Sequence, residues 1–143
     1  MAARDLTIDE IGNDVSTMVD GDLDLTFTPF TGSRVPAEGV FRRWFSKRGR
    51  VFWARNMGRS AGALVHADMT RTELERSKIA LVQEALLVDG VRGCSVSFER
   101  DEETGALDLK SDLDTVAGKS ELNVSIGDAG RVIASTIREL NGR

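Results

Sequence analysis

The hydrophobic period changes at Asp89-Gly90, and that change limits the fold more than any other feature of the chain. Before it, Thr70 and Glu73 have the spacing of a capping box, and Leu74, Leu81, Ala85 and Val88 then form one helical stripe, widened by Ile79, Val82 and Leu86. An apolar arc of that width belongs against a sheet rather than along a coiled-coil seam. After it, Cys94, Val96 and Phe98 alternate with Ser95, Ser97 and Glu99. Asp101 to Gly105 reads as a turn, Leu107 and Leu109 alternate with Asp108 and Lys110, and Leu122, Val124 and Ile126 alternate with Glu121, Asn123 and Ser125. A core helix followed by an antiparallel meander predicts an α+β fold, with helices packed on one face of a small antiparallel sheet.

The first half is less regular. Thr7 and Glu10 suggest another capping box, and Ile8, Ile11, Val15 and Val19 recur on a helical face until Asp20-Gly21, although Gly12 and Asn13 weaken that helix. Asp22 to Pro29 alternates strictly and reads as an edge strand. Pro36 suits the first turn of a further helix, in which Val40, Phe41, Trp44 and Phe45 lie together and Gly49 closes the segment. Val51 to Trp53 is a short apolar stretch, and Asn56, Gly58, Ser60 and Gly62 read as a loop docked closely against something. The C-terminal stretch has two readings. Val132, Ile133, Ile137 and Leu140 suit a helix, whereas Gly127-Asp128-Ala129-Gly130 suits a hairpin turn into an extension strand, which is favoured.

No repeat, low-complexity tract or linker divides the 143 residues, so one domain is expected. It comprises an N-terminal arm over 1–35, a helical part over 36–90, a β-meander over 91–127 and an extension over 128–143. A hydrophobic fraction of 41% and a charged fraction of 29% fit a chain that folds in water. Its longest apolar run, Ile79 to Val88, is broken by Gln83 and Glu84 and is far short of a bilayer span. Met1 to Glu10 carries Arg4 and three acids without an apolar run, unlike a secretory signal, so a cytoplasm is the expected site of synthesis.

Little in the sequence suggests catalysis. His66 is the only histidine and Cys94 the only cysteine, which argues against zinc, disulfides and a nucleophile with its base. Gly58-Arg59-Ser60-Ala61-Gly62 lacks the lysine of a phosphate loop. Glu102/Glu103 and Asp112/Asp114 read as solvated turn and strand-edge acids. A non-enzymatic protein is expected, with no cofactor, metal, small-molecule substrate or membrane.

Charge is segregated despite a net value of only -4. No acid occurs from Gly39 through Ala67, while Arg42, Arg43, Lys47, Arg48, Arg50, Arg55 and Arg59 do, interleaved with Trp44, Phe45, Phe52 and Trp53. Such a segment could hold phosphates and stack bases, which would make the protein a small nucleic-acid-binding or regulatory adaptor using Arg42 to Arg59. Against this, Trp44 and Phe45 complete an apolar helical face. The same charge separation serves subunit assembly, and strands such as Leu122 to Ile126 could extend a neighbour's sheet. Assembly without nucleic acid is the favoured reading.

Arg42-Arg43-Trp44-Phe45-Ser46-Lys47-Arg48-Gly49-Arg50, followed by Trp53, Gly58, the long helix and the strands, resembles the sheath-initiator, or baseplate wedge, family of contractile phage tails, named after the gene-twenty-five product of T-even phages. The resemblance covers about Gly39 to Ile126. Asp89-Gly90-Val91-Arg92 stands where the family has Glu-Pro-Arg, and Ser46-Lys47-Arg48 where it has a threonine-rich turn. The resemblance implies a virion structural protein, assembled in the host cytoplasm and present in six copies around the tail tube. Its partners would be wedge proteins, the tail sheath protein and the tube. Asp89, Arg92, Trp53, Arg55 and Gly58 would face the wedge, and Leu122, Val124, Ile126, Val132 and Ile133 the sheath.

Overall fold

The computed structural model describes residues 14–15, 18–19, 22–23, 29–30, 32–49, 52–53, 55–59, 61, 70–127 and 132–140. In chain order these form β1 (Asp14–Val15), β2 (Met18–Val19), β3 (Asp22–Leu23), β4 (Pro29–Phe30), α1 (Arg34–Phe45), α2 (Arg71–Ala85), β5 (Val91–Arg100), β6 (Leu107–Thr115), β7 (Gly118–Ile126) and β8 (Val132–Leu140). The fold is α+β: two helices and a four-stranded antiparallel sheet in the order β5-β6-β7-β8.

The period-two residues settle which face of the sheet is dry. Leu107, Leu109 and Leu113 of β6 and Leu122, Val124 and Ile126 of β7 are buried on one face, joined by Cys94, Val96 and Phe98 of β5 and Ile137 of β8. The register places Phe98 opposite Leu109, Cys94 opposite Leu113, and Leu122 opposite both Ser111 and Ile137. Ser111 stays buried because its hydroxyl donates to the Leu122 carbonyl at 3.1 Å. The outer face is polar: Lys110 pairs with Glu99 at 3.0 Å, Arg138 with Glu121, and Ser125 donates to Asp108 at 2.6 Å. A sheet with one apolar face must be covered on that face. Here α2 lies over β5, and α1 over β7 and β8.

The capping box of α2 is complete, with the Thr70 hydroxyl accepting from the Glu73 amide and the Glu73 carboxylate from the Thr70 amide. The helix is shorter and its buried stripe narrower than the sequence suggests. It ends at Ala85, and Ile79 and Leu86 are exposed, because the surface offered by α1 and β5 covers only the line through Leu81, Glu84 and Ala85. In α1, Ala37, Val40, Phe41 and Trp44 enter the core. The Trp44 indole donates to the Leu81 carbonyl at 2.9 Å, which satisfies its one polar atom. Gly39 lets the helices approach, since a Cβ there would lie 2.9 Å from Val88 Cγ1.

One expectation for the first half needs correction. The helix expected around Ile11 to Val19 is replaced, among the described residues, by β1 and β2, which pair antiparallel with β4 and β3. The poor helix propensity of Gly12 and Asn13 is the local reason. In the short apolar stretch Val51 to Trp53, Phe52 and Trp53 are exposed. Asp22–Leu23 and Pro29 are extended as expected, while 24–28 lie outside the described residues. At the C-terminus the hairpin alternative is realised, with β8 pairing along β7 from Ile126↔Val132 to Lys119↔Leu140.

Candidate interaction site

A buried carboxylate organises the basic segment. Glu84 sits on the inward stripe of α2 with its side chain only 2% exposed, and Arg43 Nε lies 3.2 Å from it. Arg48 and Arg59 guanidinium nitrogens each approach its other oxygen at 3.9 Å. The Gly58 amide donates to it at 3.0 Å. A carboxylate removed from water needs such partners to remain charged. One side chain thus gathers cations from α1, the turn after it and the loop near residue 59.

That loop is folded back tightly. The Arg59 amide donates to the Arg43 carbonyl at 3.2 Å, and Arg48 Nε reaches the Gly58 carbonyl at 3.4 Å. Gly58 adopts φ +112, and a Cβ there would fall 2.3 Å from the Ser46 carbonyl oxygen, so only glycine fits. A second buried acid, Glu38, accepts from Arg34 at 3.4 Å and from Arg42 at 3.1 Å, one helical turn to either side.

Beside this knot lies an open groove of about 760 Å³, lined by Gly39, Arg42 and Arg43 of α1, Trp53, Arg55, Asn56 and Met57 of the loop, and Leu87, Val88 and Asp89 after α2. Apolar side chains form part of the lining, and three arginines, an asparagine and an aspartate the polar part. Trp53 is 77% exposed and packs edge-on against Phe52, with ring centroids 4.7 Å apart. Arg55 is exposed and makes no ion pair among the described residues.

Of the residues that the resemblance assigns to wedge contact, Trp53, Arg55 and Asp89 line this groove, and Gly58 lies buried behind it on Glu84. Arg92 is exposed near the start of β5 and does not line it. The residues assigned to sheath contact are placed otherwise. Leu122, Val124 and Ile126 are buried core, on a strand paired on both sides, so they offer neither side chains nor an edge to a neighbour. Val132 and Ile133 belong to β8, and their side chains lie outside the described residues. The open edge on that side of the sheet belongs to β8.

Other candidates stay apart from the groove. Cys94 is half-buried on the dry face, and burial, aided by the Asp112 charge, pushes its thiol up to about 12. His66 lies outside the described residues. No group of three or more His, Cys, Asp or Glu that could hold a metal occurs among the described residues. Nor is any described helix long and apolar enough to cross a membrane.

Glu84 and Glu38, the buried partners of the basic segment, are the features of this site that the sequence hides. The available signal was a glutamate three residues after Leu81 on the inward stripe, in a chain whose cationic segment has no acids of its own. No known protein family, characterised protein or solved structure matches this chain.

Proposed function

We propose that the protein is a structural, non-enzymatic subunit of a contractile phage tail baseplate, which attaches to the wedge and templates the first ring of sheath subunits by strand addition. The observation that carries this reading is the nine-residue β8, whose outer edge has no partner strand among the described residues. An unpaired strand edge is a template for another chain. β8 is also held firmly to its own domain. Glu139 accepts from the Arg34 amide at 3.3 Å at the start of α1, where Ser33 gives no side-chain cap, and Arg138 pairs with Glu121. The sequence resemblance supplies the identity of the partners: sheath at β8, wedge at the groove, the tail tube within, six copies to a baseplate.

The test places proline at Thr136 and, separately, at Ile137. Neighbouring residues of a strand aim their amides at opposite edges, so one variant removes a bond to β7 and the other blocks only the open edge. Circular dichroism identifies the variant that keeps its fold. Particles carrying that variant should lack assembled sheath, and sheaths of normal length on them would overturn the reading.

A second reading, a nucleic-acid-binding adaptor, is favoured by the exposed Phe52–Trp53 pair beside Arg55. It is weakened by the commitment of Arg42 to Glu38 and of Arg43, Arg48 and Arg59 to Glu84. Salt-sensitive DNA binding lost on Trp53→Ala would favour it over assembly.

A further inference from the structure

We infer that the groove beside Glu84 takes an extended acidic segment of a partner protein, with an aliphatic or aromatic side chain inserted against Trp53, Met57, Leu87 and Val88. The inference rests on the reading of the protein as an assembly subunit, and it adds the chemistry of what is bound.

Charge selects the sign of the occupant. Around the groove and its supporting knot the described cations are Arg34, Arg42, Arg43, Lys47, Arg48, Arg55 and Arg59, against the carboxylates of Glu38, Glu84 and Asp89. Glu38 and Glu84 are buried behind the arginines and already engaged, so the outward field of the described residues is cationic. Arg55, exposed and without an ion pair among the described residues, is placed to meet a carboxylate in a two-pronged contact.

Shape selects the class. The groove is concave, and the absence of a side chain at Gly39 leaves room beside Val88. Its volume lies in the range that accepts a few side chains. Phe52 packs at right angles to the Trp53 indole, beside a groove that Met57, Leu87 and Val88 also line, so an inserted apolar side chain would meet several apolar partners where a stacked base would meet one ring. A braced tryptophan next to arginine is the composition of a binding hot spot.

The experiment selects displayed random dodecapeptides on the whole chain and then titrates the most enriched sequence, synthesised, following tryptophan emission. Trp44 is buried and serves as an internal reference, so the change reports Trp53. Enrichment of aspartate and glutamate around one or two aliphatic or aromatic residues is expected. Affinity should fall about tenfold or more with Arg55→Glu and with Trp53→Ala. It should be unchanged with Arg71→Glu, the same charge reversal at the far end of α2. Enrichment of basic or purely apolar peptides, no enrichment, or affinity indifferent to Arg55 and Trp53 would overturn the inference. So would preferential binding of a DNA oligonucleotide, or self-association abolished by Trp53→Ala, which would show that a second copy covers the groove. Selection can fail while the β8 proline variant still blocks sheath assembly, and the reverse can also occur, so the two proposals fall separately.

Discussion

The Glu84 carboxylate accepts the Gly58 amide at 3.0 Å and, through the same oxygen, pairs with Arg43 at 3.2 Å. Removing that carboxylate leaves the mostly buried Arg43 guanidinium and the buried Gly58 amide without their acceptor. Glu84→Ala should therefore destabilise the domain by about 3 kcal/mol. Glu84→Gln, which keeps an acceptor but not the charge, should lose less. Urea unfolding of the three proteins measures the difference.

Gly58 and Gly49 both have positive φ but differ in what surrounds them. Around Gly49 there is nothing within 4 Å of an added Cβ, so Gly49→Ala should cost about 1 kcal/mol from backbone strain alone. At Gly58 the added carbon collides with the Ser46 carbonyl, and Gly58→Ala should cost on the order of 3 kcal/mol and dislodge the loop carrying Trp53. Faster tryptic cleavage after Arg55 and Arg59 in Gly58→Ala, but not in Gly49→Ala, would confirm the second effect.

Partial burial should make Cys94 slow to react. With its thiol pushed up to about 12, the folded protein at neutral pH holds almost no thiolate, and a disulfide reagent should modify it many times more slowly than the unfolded chain. Fast modification of folded protein would contradict the placement of Cys94 against the core.

The acid limb of stability has two identifiable contributors on the sheet surface. Asp101, held below its ordinary 3.8 by the amides and hydroxyl of its own turn, and Glu121, held below its ordinary 4.5 by Asn123 and Arg138, both have depressed folded-state values. Their contributions are present above the ordinary carboxylate range and are lost as pH falls through the folded-state values. Asp101→Asn and Glu121→Gln should each flatten the stability profile on that limb. Lys110 has the opposite sign. Raised by Glu99, it contributes fully below its ordinary 10.5 and ceases to contribute as pH climbs past its folded-state value. Thermal unfolding across pH tests both limbs.

The sheet was the legible part of this chain. Strict alternation through Leu107, Leu109, Leu122, Val124 and Ile126 carries its own register and its own inside, because a slip by one residue would expose every leucine. The Thr70–Glu73 capping box is equally local, and it forms as spelled. Alternation does not, however, say which strands are central. Leu122 to Ile126 suits an edge in the sequence and is interior in the fold, because β8 pairs beyond it. The basic segment misled for a related reason. Its charges are answered by Glu38 nearby and Glu84 more than twenty residues downstream, and long-range pairing of that kind leaves no spacing to read. The groove was only partly visible, since Trp53, Arg55 and Asp89 are brought together by that same pairing.

Helix α1 touches both ends of the proposed machinery. Arg34 at its first turn holds β8 through Glu139, while Gly39, Arg42 and Arg43 further along form a wall of the groove. Twelve helical residues make a rod about 18 Å long with no internal joint. If both proposed contacts form, the seating of an occupant in the groove and the height and tilt of the strand edge would be linked through this one rod, as a gauge block links a bench to a cutting tool.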